Sequence, residues 1–231
     1  MFEAVLFDLD GTLADTAPDL GAALNRLRVE EGLPALPLPT LRPYTSQGVR
    51  GLLRAGFGID PQGTDYSRLS QRFLELYAAD LCVDTRLFDG IAELLADLRE
   101  RGIPWGIVTN KRTRYTDPLV SALGLRSQTT CVVSGDTTAA AKPSPLPILH
   151  ACGILGKPPG RSLYVGDDRR DIEAGRAAGT ATAAAAYGYL GDSGPPESWD
   201  ADFIADHPVA MRKFIFSGIP SKMPGGDDKR K

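Results

Sequence analysis

The sequence predicts an α/β protein built on a parallel sheet, with a helical insertion after the first strand. Three observations predict it. Short apolar runs recur along the chain, and each halts abruptly at polar or small residues. Between them lie segments whose apolar positions fall at helical, 3-to-4 spacing. The alternation is interrupted once, from about Thr16 to Thr85, by helical patterns alone. Strands buried on both faces read as continuous apolar runs, and strand–helix alternation closes as a parallel sheet with right-handed crossovers.

The first run, Ala4-Val5-Leu6-Phe7, ends in Asp8-Leu9-Asp10-Gly11 and reads as a buried strand opening into a loop. The insertion carries helical patterns from Leu20 to Val29, Val49 to Gly56 and Leu69 to Leu81, joined by Pro- and Gly-rich turns. Asp89 is then placed to cap a helix through Ile91, Leu94, Leu95 and Leu98, with Gly102 as its stop. Trp105 to Val108 is the next strand, ahead of Thr109-Asn110, and Leu119, Val120 and Leu123 before Gly124 mark another helix. Cys131-Val132-Val133 precedes Ser134-Gly135, and a helix is expected from Pro147 to Gly153. Leu163 to Val165 leads into Gly166-Asp167-Asp168, followed by a helix from Asp171 to Gly179. Ala181 to Ala186 reads as a tightly packed strand, and Pro208 to Phe216 as a last helix docked on the core. The expected division is a catalytic core of residues 1–15 and 86–217, a helical cap of 16–85, and a disordered tail of 218–231.

Bulk composition narrows the function. Of 231 residues 42% are apolar and 24% charged, enough to bury a core, and the net charge of −3 gives no reason to expect a nucleic-acid or anionic-membrane partner. Cys82, Cys131 and Cys152 are scattered and form no CxxC pair, which argues against a disulfide framework or zinc site and suits a reducing, cytoplasmic setting. The N-terminal run lacks a basic region and is broken by acids, so it is not expected to be a signal peptide, and no apolar stretch approaches a membrane span. His150 and His207 have no partners at ligand spacing and are expected to be structural; Trp199 is placed either to cover the core edge or to touch a ligand.

Polar residues collect at the carboxyl ends of the strands, where parallel sheets bind ligands. Asp8 and Asp10 are two apart, so in a strand both carboxylates face one site. Such a pair is electrostatically costly. A bound cation relieves one member and leaves the other suited to proton transfer. Gly11 permits close backbone approach and Thr12 offers a hydroxyl. Thr109 can hold a phosphoryl oxygen, and Lys142 supplies a point charge suited to an anion. Asp167 and Asp171, with Asp168 between them, offer the oxygen ligands that magnesium prefers.

With these segments in order (FDLDGT from Phe7 to Thr12, Thr109-Asn110, Lys142-Pro143, and GDDRRD from Gly166 to Asp171), the chain resembles the haloacid-dehalogenase-like hydrolase superfamily. The resemblance extends to about Phe216 and implies a Rossmann-like core, with helices on both faces, and an inserted helical cap. It also implies roles. Asp8 would form a covalent aspartyl-phosphate, and Asp10 would protonate the leaving oxygen and then activate water. Thr109 and Lys142 would hold phosphoryl oxygens, with Gly11, Thr12 and Asn110 near the substrate. Mg²⁺ would be held by the Asp8 carboxylate, the Asp10 carbonyl and Asp167, with Asp171 in support. Asp10 is present, unlike in dehalogenases, and Thr12 stands where related mutases tend to have valine, so a phosphatase of small phosphate esters, monomeric or homodimeric, is implied.

The chain looks like the phosphoglycolate phosphatase type, and the segments LFDGIAELLADL, GIVTNKRTRY, VGDDRRDIEAGRAAGT and YGYL look like N-acetylmuramic acid 6-phosphate phosphatases. Both substrates carry a carboxylate. In the cap, Ser46-Gln47-Gly48-Val49-Arg50 feeds a helix N-terminus, and Arg50 is the candidate to meet that carboxylate.

Overall fold

A computed structural model describes residues 2–217; the expectation for the tail from Gly218 lies outside the described residues. In chain order, β1 (Ala4–Phe7) is followed by a two-residue strand, β2 (Ala14–Asp15), and by helices α1 (Ala17–Glu30), α2 (Leu38–Leu41), α3 (Gly48–Phe57) and α4 (Tyr66–Ala79). A second short strand, β3 (Arg86–Leu87), returns antiparallel to β2. Then come α5 (Ile91–Glu100), β4 (Trp105–Val108), α6 (Thr113–Ala122), β5 (Cys131–Val133), α7 (Leu146–Leu155) and β6 (Ser162–Gly166). The chain continues through α8 (Arg169–Ala178), β7 (Ala181–Ala185), β8 (Phe203–Ala205) and α9 (Pro208–Ser217).

Six strands form one parallel sheet in the order β5-β4-β1-β6-β7-β8. Strand β1 shows why both faces are covered. Val5 and Phe7 point to one side, against Leu94, Leu98, Leu119 and Phe214. Ala4 and Leu6 point to the other, against Ile148, Ala151, Cys152 and Ala174. All four β1 residues are fully buried, which is what a strand covered by helices on both faces requires.

The four helices between β2 and β3 bury their own apolar cluster, including Leu24, Leu27, Leu52, Leu53 and Phe73, joined by Tyr115 of α6. Where this layer leaves and rejoins the sheet, the buried Asp19 carboxylate accepts the backbone N–H groups of Val83, Asp84 and Thr85 and the Thr85 hydroxyl. That clamp fixes the two crossing segments together.

One local expectation changes. Helix α5 begins at Ile91 with Gly90 in the capping position at φ +93°, so Asp89 is not its cap. The two-residue strands β2 and β3 are too short to stand out in the sequence, and β8, three apolar residues between Asp202 and Asp206, adds a sixth strand that the sequence reading did not include. Trp199 is 3% exposed, packs on Ile172 and Ala184 and donates to the Ser193 carbonyl at 3.1 Å, so it covers the sheet edge. Among the described residues no helix is long and apolar enough to cross a membrane.

Candidate active site

Strand β1 is where the sheet order reverses. The chain runs outward through β4 and β5, then returns to place β6 on the other side of β1. A crevice therefore opens at the carboxyl ends of β1, β4 and β6. Asp8 follows β1, Thr109 follows β4, Asp167 follows β6, and Lys142 comes from the segment between β5 and α7. The Asp8 N–H still pairs with the Val165 carbonyl at 2.8 Å, after which the chain turns and the Leu9 carbonyl accepts from Leu13 and Ala14. Asp8 and Asp10 line one cavity, but across this turn rather than along a regular strand. Gly11 sits at φ +82°, and a β-carbon there would collide with the Asp167 carboxylate. Only glycine satisfies both demands.

Lys142 is almost wholly enclosed. Its ammonium lies 2.6 Å from Asp171 Oδ1 and 3.0 Å from Asp8 Oδ1, and donates to the Val108 carbonyl at 3.0 Å and the Tyr164 hydroxyl at 2.8 Å. The Asp8 contact is close enough for ionic attraction but too poorly aligned for a hydrogen bond, so Asp8 Oδ1 is left without a donor. Asn110 holds the Lys142 main chain from both sides, its amide donating to the carbonyl and its oxygen accepting the N–H, each at 2.9 Å. Its side chain thus helps to place Lys142, and Asn110 also lines the cavity.

Asp8, Asp167 and Asp171 are buried, and each offers an oxygen within 4.8 Å of the others. One ammonium stands against three carboxylates here. Burial, reinforced by Asp171 and Asp10 and only partly opposed by Lys142, pushes Asp8 up from 3.8 to about 6. Burial, followed by the charges of Asp8 and Asp171, pushes Asp167 well above the carboxylate range. An all-oxygen donor set with surplus negative charge and an orphaned carboxylate oxygen fits a divalent hard cation such as Mg²⁺.

The pH consequence has a definite sign. A carboxyl with a raised folded-state pKa contributes stability that is full below 3.8 and is lost as pH climbs through about 6. The metal-free protein is therefore expected to lose stability across that interval, and Mg²⁺ to raise Tm more at about pH 8 than at about pH 5. Thermal melts with Mg²⁺ and with EDTA check this. An equal Mg²⁺ effect at both pH values would contradict it.

Asp10 turns away from the acid cluster. Its Oδ1 accepts the Thr16 hydroxyl at 2.6 Å, and the Lys111 ammonium lies 2.9 and 3.2 Å from its two oxygens. Lys111 is 9% exposed and also sits 4.8 Å from the centroid of the Tyr77 ring of α4. The Thr109 hydroxyl accepts the Lys111 N–H at 3.2 Å, which leaves its own proton for a ligand. Thr12 is fully buried, and its hydroxyl donates to Asp167 Oδ1 at 3.2 Å. It braces that carboxylate and does not line the cavity.

The cavity measures about 390 Å³ and is floored by Asp8, Asp10, Thr109 and Lys142. Its far wall comes from the helical layer: Leu20, Thr45, Ser46, Phe73 and Tyr77. Two contacts close that layer on the sheet. Ser46 Oγ donates to Asp167 Oδ2 at 2.7 Å, and Arg170, paired with Asp168, donates to the Ser46 carbonyl at 2.9 Å. Arg50 is brought elsewhere. It is exposed and faces a separate pocket with Arg54, Arg169 and Asp192, because the third residue of α3 points away from the Asp8 cavity.

Lys111, Thr16, Tyr164 and Tyr189 are site residues that sequence reasoning missed. Tyr189 donates its backbone N–H to Asp167 at 2.9 Å and its hydroxyl to Asp15 at 2.9 Å. For Lys111 a signal existed, since it directly follows Thr109-Asn110. For Tyr164, inside a buried apolar strand, the sequence gives none.

A family model described as haloacid dehalogenase-like hydrolase matches residues 5–185. A Pseudomonas putida protein named N-acetylmuramic acid 6-phosphate phosphatase is 44% identical over 216 residues, covering 94% of this chain and 97% of that one. A Xanthomonas campestris phosphoglycolate phosphatase is also 44% identical, over 210 residues, covering 90% and 94%. Among solved structures, a predicted phosphoglycolate phosphatase from Haemophilus somnus superposes with a TM-score of 0.81 at 28% identity, covering 93% of this chain and 98% of that one.

Proposed function

The chain belongs to the haloacid dehalogenase-like hydrolase family and is a phosphoric monoester hydrolase, and from that premise we propose that it cleaves a small carboxylate-bearing phosphate ester through an aspartyl-phosphate on Asp8. The observation that supports this best is the placement of Asp8. It sits on the cavity floor, buried yet steered by Lys142 rather than neutralised by a direct hydrogen bond.

In the proposed sequence, an Asp8 oxygen bonds to phosphorus while the ester P–O bond breaks. Asp10 gives a proton to the departing oxygen, then takes one from the water that hydrolyses the acyl phosphate. The Thr109 hydroxyl donates to a phosphoryl oxygen. Lys142 holds Asp8 and Asp171 in place, and Asn110 holds Lys142. Mg²⁺, when bound by Asp8, Asp167 and the Asp10 carbonyl with Asp171 beside them, would neutralise phosphoryl charge. Residues 16–85 act as the cap: their side chains wall the cavity opposite Asp8, and water is excluded when Ser46 and Arg170 make their contacts.

One observation favours a larger ester. About 390 Å³ lies within the range of sites for drug-sized ligands, and exceeds what a two-carbon acid phosphate fills. The wall of Phe73, Tyr77 and Tyr115 suits the flat face of a sugar ring. The second reading is accordingly an N-acetylmuramic acid 6-phosphate phosphatase. The test is kcat/KM with Mg²⁺ for 2-phosphoglycolate and N-acetylmuramic acid 6-phosphate, measured side by side. A preference for phosphoglycolate upholds the first reading, and a hundred-fold preference for the sugar acid, about 2.7 kcal/mol, replaces it with the second. Hydrolysis of neither removes both.

A further inference from the structure

We propose that Lys111 is the specificity-determining cation of this site, reading a carboxylate on the carbon next to the ester oxygen. The inference rests on the reading of Asp10 as the proton donor to the leaving oxygen.

That role places the leaving oxygen against the Asp10 carboxylate. Any group two bonds from that oxygen then falls beside whatever else touches Asp10. What touches it is Lys111, with its nitrogen 2.9 Å from Oδ1 and 3.2 Å from Oδ2. An ammonium has three N–H groups, so one remains after both Asp10 oxygens are served; the nitrogen lies 4.8 Å from the Tyr77 ring centroid, and both residues line the cavity. A carboxylate is a stronger acceptor than a ring face, so it takes that N–H without breaking the Asp10 pair. Thr16 holds Asp10 independently at 2.6 Å.

The other cations at the cavity are committed or distant. Lys142 is surrounded by Asp8, Asp171, the Val108 carbonyl and the Tyr164 hydroxyl. Arg170 is held by Asp168 and the Ser46 carbonyl. Arg50 faces the separate pocket. Arg112 lines the cavity but is exposed to solvent, where a charge contact is worth little. Lys111 alone combines burial, a position beside Asp10 and a spare donor. A carboxylate across a sugar ring from its phosphate is many bonds from the ester oxygen, so seating the phosphorus on Asp8 does not by itself bring that group to Lys111. The residue thus distinguishes an α-carboxylate from a remote one.

The test compares 2-phosphoglycolate with ethyl phosphate, which lacks the carboxylate and keeps the same carbon count. In the wild-type protein with Mg²⁺, kcat/KM for phosphoglycolate is expected to exceed that for ethyl phosphate by roughly thirty-fold, mainly through KM, the scale of one buried charge-assisted hydrogen bond. Lys111→Met is expected to bring the ratio close to one, and Lys111→Arg to restore most of it. Lys111→Gln, uncharged but still a donor, serves if the methionine variant fails to fold. A ratio that Lys111→Met and Lys111→Gln leave unchanged overturns the proposal. So does a wild-type ratio near one with both esters hydrolysed, in which case the phosphatase function stands. Hydrolysis of neither ester by the wild type overturns the proposal together with the small-ester reading, and leaves the sugar-acid reading to its own test.

Discussion

Asp8→Asn is expected to lower turnover by at least about 10⁴-fold while leaving the folded, metal-free protein as stable as the wild type or more so. The activity loss follows from chemistry, since an amide oxygen at this position cannot form and release an acyl phosphate. The stability follows from electrostatics. Asp8 is 9% exposed, and burial beside Asp171 and Asp10 pushes it up to about 6, so its ionised form at neutral pH costs on the order of 2–3 kcal/mol relative to water. Asparagine removes that charge and keeps the shape. The variant is also expected to lose much of the Mg²⁺-induced rise in Tm, because one carboxylate of the acidic cluster is gone. Phosphate release and paired melts with and without Mg²⁺ measure both effects. Substantial residual turnover would sink the covalent assignment.

Lys142→Met is expected to produce the largest loss of stability. The ammonium sits between Asp8 and Asp171 with 2% of its side chain exposed, and also satisfies the Val108 carbonyl and the Tyr164 hydroxyl. Its removal leaves Asp8, Asp167 and Asp171 together with no cation in direct contact with them among the described residues. Breaking one side of a buried ion pair costs about 3–5 kcal/mol, or roughly 10 °C in Tm for a chain this size. The penalty belongs to ionised carboxylates, so it should be greatest near neutral pH and shrink as acid protonates them. Turnover should fall by about 10² to 10³-fold, since Asp8 loses the charge that orients it. Urea unfolding at about pH 7.5 and at about pH 5 checks the sign. A penalty that grows on acidification would show that the ammonium stabilises something other than these acids.

The two variants separate roles that the sequence placed under one description. Lys142 read as a point charge for an anionic ligand. Its neighbours in the structure are protein acids, so its first task is to hold Asp8 and Asp171. Thr12 read as a hydroxyl near the substrate, yet its proton goes to Asp167. Arg50 read as the carboxylate partner at a helix start, and α3 turns it outward while Lys111 takes the place beside Asp10. In each case the residue type suited the chemistry, and the partner was decided elsewhere.

The sequence by itself determined the parallel α/β sheet, the helical insertion and the four segments that bring Asp8, Thr109, Lys142 and Asp167 to one crevice. These are readable because burial on both faces forces continuous apolar strands, and because ligand residues must stand where such strands end. Only the tertiary structure decided which side chains meet. Lys111 reaches Asp10 across 101 positions, Ser46 reaches Asp167 across 121 and Tyr189 reaches Asp15 across 174. Periodicity carries no term for such separations. Ser46 is placed by how the helical layer packs over the carboxyl ends of the strands, where Leu20, Phe73 and Tyr77 bury their apolar surface, and Lys111 and Tyr189 by the loops that follow β4 and β7.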